Sequence, residues 1–150
     1  MTGNKVIDVY PYYVSGNEIK YLLLHRSSDH IYSEQWRMIG GKVEEGEKSW
    51  EAGLRELKEE TGAEPLKYWT IPSINHFYDH ITDQIMYIPA FAAELHTDSS
   101  ITLNGEHDDF RWVEYEVVKK WIHWPEQLRM FEIIDKIVRH DKILPNWIIE

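Results

Sequence analysis

The chain has 150 residues, a formal net charge of −10, 43% hydrophobic and 28% charged residues, and no cysteine. That length suffices for one hydrophobic core, and the lack of cysteine excludes disulfides and thiolate metal sites. The acidic balance speaks against nucleic acid held through its phosphates, which needs Lys and Arg, and no stretch approaches the ~20 apolar residues of a membrane span.

Val6 to Val14 reads as a strand with Val6, Asp8, Tyr10 and Tyr12 on one face, and Pro11 points to an edge position or an irregularity. Ser15-Gly16-Asn17 is turn chemistry. Ile19 to His25 is a second strand, whose Leu22-Leu23-Leu24 run predicts burial on both faces. Ser27 to Gln35 is a polar loop. A glycine pair, Gly40-Gly41, then leads through a loop into a helix starting near Glu47 or Lys48, with Gly46 or Glu47 close to its cap. Gly62 is placed to end that helix and Pro65 to prevent its continuation. Leu66 to Phe77 and Gln84 to Leu95 read as strands joined by a hairpin loop, Tyr78 to Asp83. Phe110 to Val113 is a short strand after the Asn104-Gly105 turn. Val117 to Ile122 reads as a short helix. Pro125 opens a longer one, with a stripe of Leu128, Phe131, Ile134, Ile137 and Val138 running through Asp141. Pro145-Asn146-Trp147 begins a tail. There is no internal repeat or linker, so one domain over residues 1–150 is expected. These elements make a mixed sheet with two main helices, of α+β or α/β class.

The first helix carries the chemistry. Glu56 and Glu59 are i,i+3 and Glu56 and Glu60 are i,i+4, so three carboxylates share an arc of roughly 100°. Trp50, Gly53, Leu54 and Leu57 fall on a neighbouring arc that can pack on a sheet. Like charges at that spacing repel unless something neutralises them. A divalent cation does so, and hard oxygen ligands suit Mg²⁺ or, as an alternative, Mn²⁺. Without such a partner the acidic face would read as solvated surface.

Gly41, Glu47, Arg55-Glu56, Leu57, Glu59-Glu60, Gly62 and Ala63 fill every fixed place of a 23-residue pattern. A chance match is below about one in ten million per start position at ordinary residue usage. By this pattern the chain resembles the Nudix hydrolases. Many relatives carry proline just before the glycine pair, where this chain has Ile39.

The resemblance implies an α/β fold, an α/β/α sandwich with a mixed sheet. It also implies Mg²⁺-dependent hydrolysis of a phosphoanhydride. Glu56, Glu59, Glu60 and the carbonyl of Gly40 would be the metal ligands. Arg55 would orient the carboxylates, Glu47 would steady the junction of loop and helix, and Gly41 and Gly62 would serve the backbone. A general base is expected from a loop outside the motif. Asn104 to Trp112 resembles the corresponding loop of dihydroneopterin triphosphate and diadenosine tetraphosphate hydrolases, which singles out Glu106 as base or further metal ligand. An exposed acidic hairpin is the other reading of that loop. His107 would touch a phosphate or brace the loop, and Lys42 and Arg37 are candidates for phosphate contact.

The expected partner is a nucleotide or pterin polyphosphate, not nucleic acid or a membrane, in a cytoplasmic protein whose oligomeric state is open, a homodimer included. The favoured reaction converts a nucleoside or pterin triphosphate to pyrophosphate and a monophosphate. The alternatives are hydrolysis of diadenosine polyphosphates or another nucleoside diphosphate-linked compound, and a Nudix-like regulatory module without turnover. The last would be expected to lose a metal-binding glutamate, and none is missing. His76 and His80 stand four apart without the helical Glu of zinc hydrolases between them, so no zinc site is expected. Tyr12, Trp36, Tyr78 and Tyr87 could offer an aromatic face to a base, and each reads equally well as a core or sheet residue.

Overall fold

The computed structural model describes residues 5–26 and 35–150. Of the polar loop expected over Ser27 to Gln35, all but Gln35 lies outside the described residues.

Strand β1 (Val6–Ser15) turns through Gly16, at φ 62°, into β2 (Glu18–Arg26). Two short strands follow, β3 (Trp36–Arg37) and β4 (Ile39–Lys42), and then helix α1 (Ser49–Thr61). The long strands β5 (Lys67–Asp79) and β6 (Gln84–Glu94) form a hairpin. The chain closes with β7 (His107–Val113), α2 (Tyr115–Trp121), α3 (Pro125–Arg139) and a 3₁₀ turn at Pro145–Trp147. All seven strands join one sheet ordered β3-β2-β1-β6-β5, with β4 also on β1 and β7 also on β2. It is mixed: β1 runs parallel to β6 and antiparallel to β2 and β4.

Period-two alternation divides the apolar residues between two cores. Ile7 and Val9 of β1, Leu22 and Leu24 of β2 and Phe91 and Ala93 of β6 pack with Ala52 and Leu57 of α1. Their alternates, Tyr10 and Tyr12, Tyr21 and Leu23, and Ala90 and Ala92, pack with Val118 of α2 and Phe131 and Ile134 of α3. Both faces of the leucine run are buried, as expected, at about 1.5–3 kcal/mol for each fully buried leucine. Small residues on β6 leave room for rings: the Tyr10 and Phe131 centroids lie 4.9 Å apart, edge to face. The result is an α/β/α sandwich.

Several expectations change. β1 is an interior strand, so Pro11 is not at an edge. It sits between Val9, the last residue paired with β4, and Tyr12, the first paired with β2. A residue without an N–H is tolerated where one neighbour gives way to another. β7 begins three residues before Phe110 because His107 pairs with Arg26. α2 starts two residues earlier than read, and α3 stops at Arg139, with Asp141 in the left-handed region at φ 52°. The cap of α1 is Lys48, whose N–H donates to Glu51 at 2.9 Å. Gly62 takes the left-handed conformation, φ 75°, that ends the helix. After α3, Trp147 stacks near Trp69, Ile148 bridges to Trp69, and the N–H of Ile149 donates to the carbonyl of Tyr68 at 2.8 Å.

Candidate active site

α1 lies on the sheet through Ala52, Gly53, Leu57, Glu60 and Thr61, which places its second half beside the β4 glycines. Glycine is required at 41 for a packing reason. A Cβ there would fall among Cγ, Cδ and Oε1 of Glu56, so the side chain of Glu56 occupies the space a larger residue would take.

Arg55 ties this region together. Its Nε and Nη2 donate to the two oxygens of Glu47 at 2.8 and 3.0 Å. Nη2 also donates to the carbonyl of Lys42 at 2.8 Å, and Nη1 to Glu56 at 2.9 Å and Glu59 at 3.2 Å. A planar guanidinium suits this, because its fork matches a carboxylate pairwise. The Arg55 hydrogen bond holds Glu47 down to about 2. Glu47 also accepts the N–H of Glu44 at 3.0 Å. It therefore braces loop to helix.

The three helix carboxylates are unequal. Glu59 is half exposed, Glu56 is mostly covered and Glu60 is 2% exposed. Burial raises the pKa of Glu56, opposed by Arg55, and raises that of Glu60, reinforced by the charges of Glu56 and Glu106. Oε2 of Glu60 is buried without a hydrogen-bond partner. Facing it across the sheet end are Glu106 and His107. One donor atom from each of Glu60, Glu106 and His107 lies within 4.8 Å of the others, and His107 Nδ1 is 3.4 Å from Glu60 Oε1. Glu106 is exposed, its N–H bonded to the Asn104 side chain at 3.0 Å.

A divalent cation fits this donor set: crowded carboxylate oxygens, one buried and unsatisfied, with pKa values that burial and mutual repulsion push up. The fold thus brings Glu56, Glu60 and Glu106 to one place and leaves Glu59 at its rim on Arg55. It adds a buried His107, which sequence reasoning weighed only as a phosphate contact or brace.

The remaining candidates diverge. Lys42 is exposed, and the group of it that the fold uses is its carbonyl. Arg37 is half-buried and turned inward, its Nη2 2.9 Å from where a Cβ on Gly40 would sit. Gly40 pairs with Asp8, a carboxylate 4% exposed that accepts from Asn75 at 3.0 Å and Tyr10 at 3.3 Å. Sequence reasoning placed Asp8 on a strand face and missed its burial; a lone acid among apolar strand residues was the available signal. Tyr12 is a core residue that accepts the indole N–H of Trp69 at 3.0 Å. Trp36 packs on Trp121 and His25, and Tyr78 and Tyr87 stand exposed on the β5–β6 hairpin. His76 pairs with Glu126 at 2.9 Å.

An acidic helix anchored by arginine to a glycine loop, inside an α/β/α sandwich, is the arrangement that the resemblance to the Nudix hydrolases implies. Known proteins agree. The family model of the NUDIX domain matches residues 7–133. The nucleoside triphosphatase NudI of Enterobacter sp. (strain 638) is 32% identical over 108 residues, covering 67% of this chain and 77% of that protein. An octanoyltransferase of Myxococcus xanthus is 30% identical over 106 residues, 66% of this chain but only 28% of that longer protein. In fold, the C. elegans Ap4A hydrolase of a binary complex has a TM-score of 0.75 at 20% identity, covering 91% of this chain and 98% of that one. The chain belongs to the Nudix family and is a pyrophosphohydrolase of that kind.

Proposed function

We propose that this enzyme hydrolyses a nucleoside or pterin triphosphate to pyrophosphate and a monophosphate, with Mg²⁺ or Mn²⁺ as cofactor. The observation that carries the cofactor reading is Glu60, a buried acid with an unsatisfied oxygen, set against Glu56, Glu106 and His107. The triphosphate reading is supported by the NudI relatives, which are nucleoside triphosphatases by name.

Glu56, Glu59, Glu60 and the Gly40 carbonyl would hold the metal. Bound there, it supplies neutralising charge to the phosphate oxygens and to the leaving group. Arg55 keeps Glu56 and Glu59 oriented and is itself fixed by Glu47 and the Lys42 carbonyl. Glu106, exposed where Glu60 is buried, is reachable by a solvent water and would accept its proton as that water attacks phosphorus. Glu60 is buried and Glu106 exposed, which supports a ligand's role for the first and a base's role for the second. Among the described residues no helix is long and apolar enough to cross a membrane. We take the protein to be cytoplasmic, with all 150 residues in one domain.

A panel of nucleotides, diadenosine polyphosphates and a pterin triphosphate, assayed with Mg²⁺ for pyrophosphate release, tests this. The expected result is release from a single triphosphate, lost by a factor on the order of 100 or more in Glu60→Gln. Turnover of diadenosine polyphosphates without pyrophosphate, or near wild-type activity of Glu60→Gln, would overturn it.

A further inference from the structure

Two arginines beside the acidic site carry charge that no carboxylate among the described residues meets at hydrogen-bond range. Arg37 stands opposite Leu24 across β2 and β3. Arg26 lies two residues beyond Leu24, so the arginines are diagonal neighbours, a spacing of roughly 7–8 Å. Nε of Arg26 is buried and has no acceptor. Asp8, the acid nearest Arg37 in effect, takes its hydrogen bonds from Asn75 and Tyr10. On the far side of β2 a bulge skips Asp108 and sets Arg26 opposite His107, and such bulges re-aim side chains at functional sites. Arg26 is thereby paired across the strands with His107, a member of the group that Glu60 and Glu106 complete. Arg37 lowers the pKa of Glu60 while feeling the repulsion of Arg26. A half-buried pair of like charges is unfavourable on its own and favourable once an anion bridges it.

We infer that Arg26 and Arg37 form a two-armed clamp for a phosphate group of the substrate, adjoining the acidic site. Each guanidinium offers a planar fork of N–H donors that matches phosphate oxygens, which a lysine's point charge does not. The clamp rests on the phosphoanhydride reading above and adds to it Arg26, at the end of a strand, as a binding residue.

Calorimetric titration of inorganic pyrophosphate into the Mg²⁺-loaded protein tests the clamp. Arg26→Met and Arg37→Met should each weaken binding by about tenfold or more, as for loss of a charged hydrogen bond. The double variant should lose less than the product of the two, because both arms hold one anion. Arg26→Lys should restore only part of the affinity. Lys136→Met, which removes an exposed charge from α3, should change it less than about twofold. Unchanged affinity in either methionine variant would overturn the clamp, as would an equal loss in Lys136→Met or no binding by the wild type. Should Arg26→Met not fold, wild-type affinity in Arg26→Lys overturns it instead. Failure of the nucleotide panel with arginine-dependent pyrophosphate binding intact would sink the substrate reading and not the clamp. Turnover intact with arginine dependence gone would do the reverse.

Discussion

Gly53 sits in the middle of α1, where alanine ordinarily stabilises a helix by about 1 kcal/mol over glycine. Here the sign should reverse. A Cβ at residue 53 would overlap the hydroxyl of Tyr68 and lie 3.1 Å from Val9 Cγ2 and 3.4 Å from Phe91 Cδ2. Tyr68 cannot easily yield: its ring is 4% exposed, packs on Phe91 and donates its hydroxyl to the Trp50 carbonyl at 3.0 Å. Gly53→Ala must therefore either break that hydrogen bond, at about 1 kcal/mol, or lift the helix from the sheet. Overpacking of this kind costs about 1–3 kcal/mol. Set against the propensity gain, the net is a loss of up to about 2 kcal/mol, or a Tm lower by up to roughly 8 °C for a domain of this size. Thermal and urea denaturation of Gly53→Ala, Tyr68→Phe and the double variant supply the check. Tyr68→Phe removes the overlapping atom, so the double variant should be more stable than the sum of the singles by about 1 kcal/mol or more. A Gly53→Ala protein more stable than wild type, or strict additivity, would refute the reasoning that α1 is seated by close approach at this glycine.

Other expectations follow from the same geometry. Asp8 is held up at about 6 by burial, against the lowering by Asn75, Arg37 and Tyr10. Because the folded protein binds this proton more tightly than the unfolded chain, stability from Asp8 is fullest below the ordinary aspartate value and is lost as pH rises through about 6. Relative to wild type, Asp8→Asn should therefore gain up to about 3 kcal/mol between pH 3.5 and 7, at about 1.4 kcal/mol per pH unit. Parallel urea-denaturation curves across that range would contradict it. Gly41→Ala should displace Glu56 from the space it now fills and lower kcat/KM on the order of 100-fold, the usual penalty for an ångström of misplacement. Its circular dichroism should stay close to wild type, and unchanged kinetics would show that Glu56 is not held where turnover needs it.

Much of this was legible in the sequence because the relevant spacing is local. Leu22-Leu23-Leu24 reported two buried faces since adjacent strand residues point to opposite cores. The end of α1 followed from its glycine and proline punctuation, whereas its cap lies at Lys48 and not at Gly46 or Glu47. What stayed hidden depends on residues far apart in the chain. Glu60 meets Glu106 and His107 only because β7 pairs with β2. Asp8 is a buried acid because Asn75, 67 residues away, supplies its hydrogen bond. Pro11 read as a sign of an edge or an irregularity, and nothing local reveals which, because the change of neighbours along β1 is set by β2 and β4. Arg26 fell between the strand and the polar loop as read from sequence, since its importance lies in what flanks β2 on both sides.

The stretch after α3 has a role its modest contacts understate. β5 is the outermost strand, and an open margin of that kind recruits foreign strands into sheets. Ile148 and Ile149 dress that margin at Tyr68 and Trp69, so removing those few residues would bare a sticky seam and favour self-association.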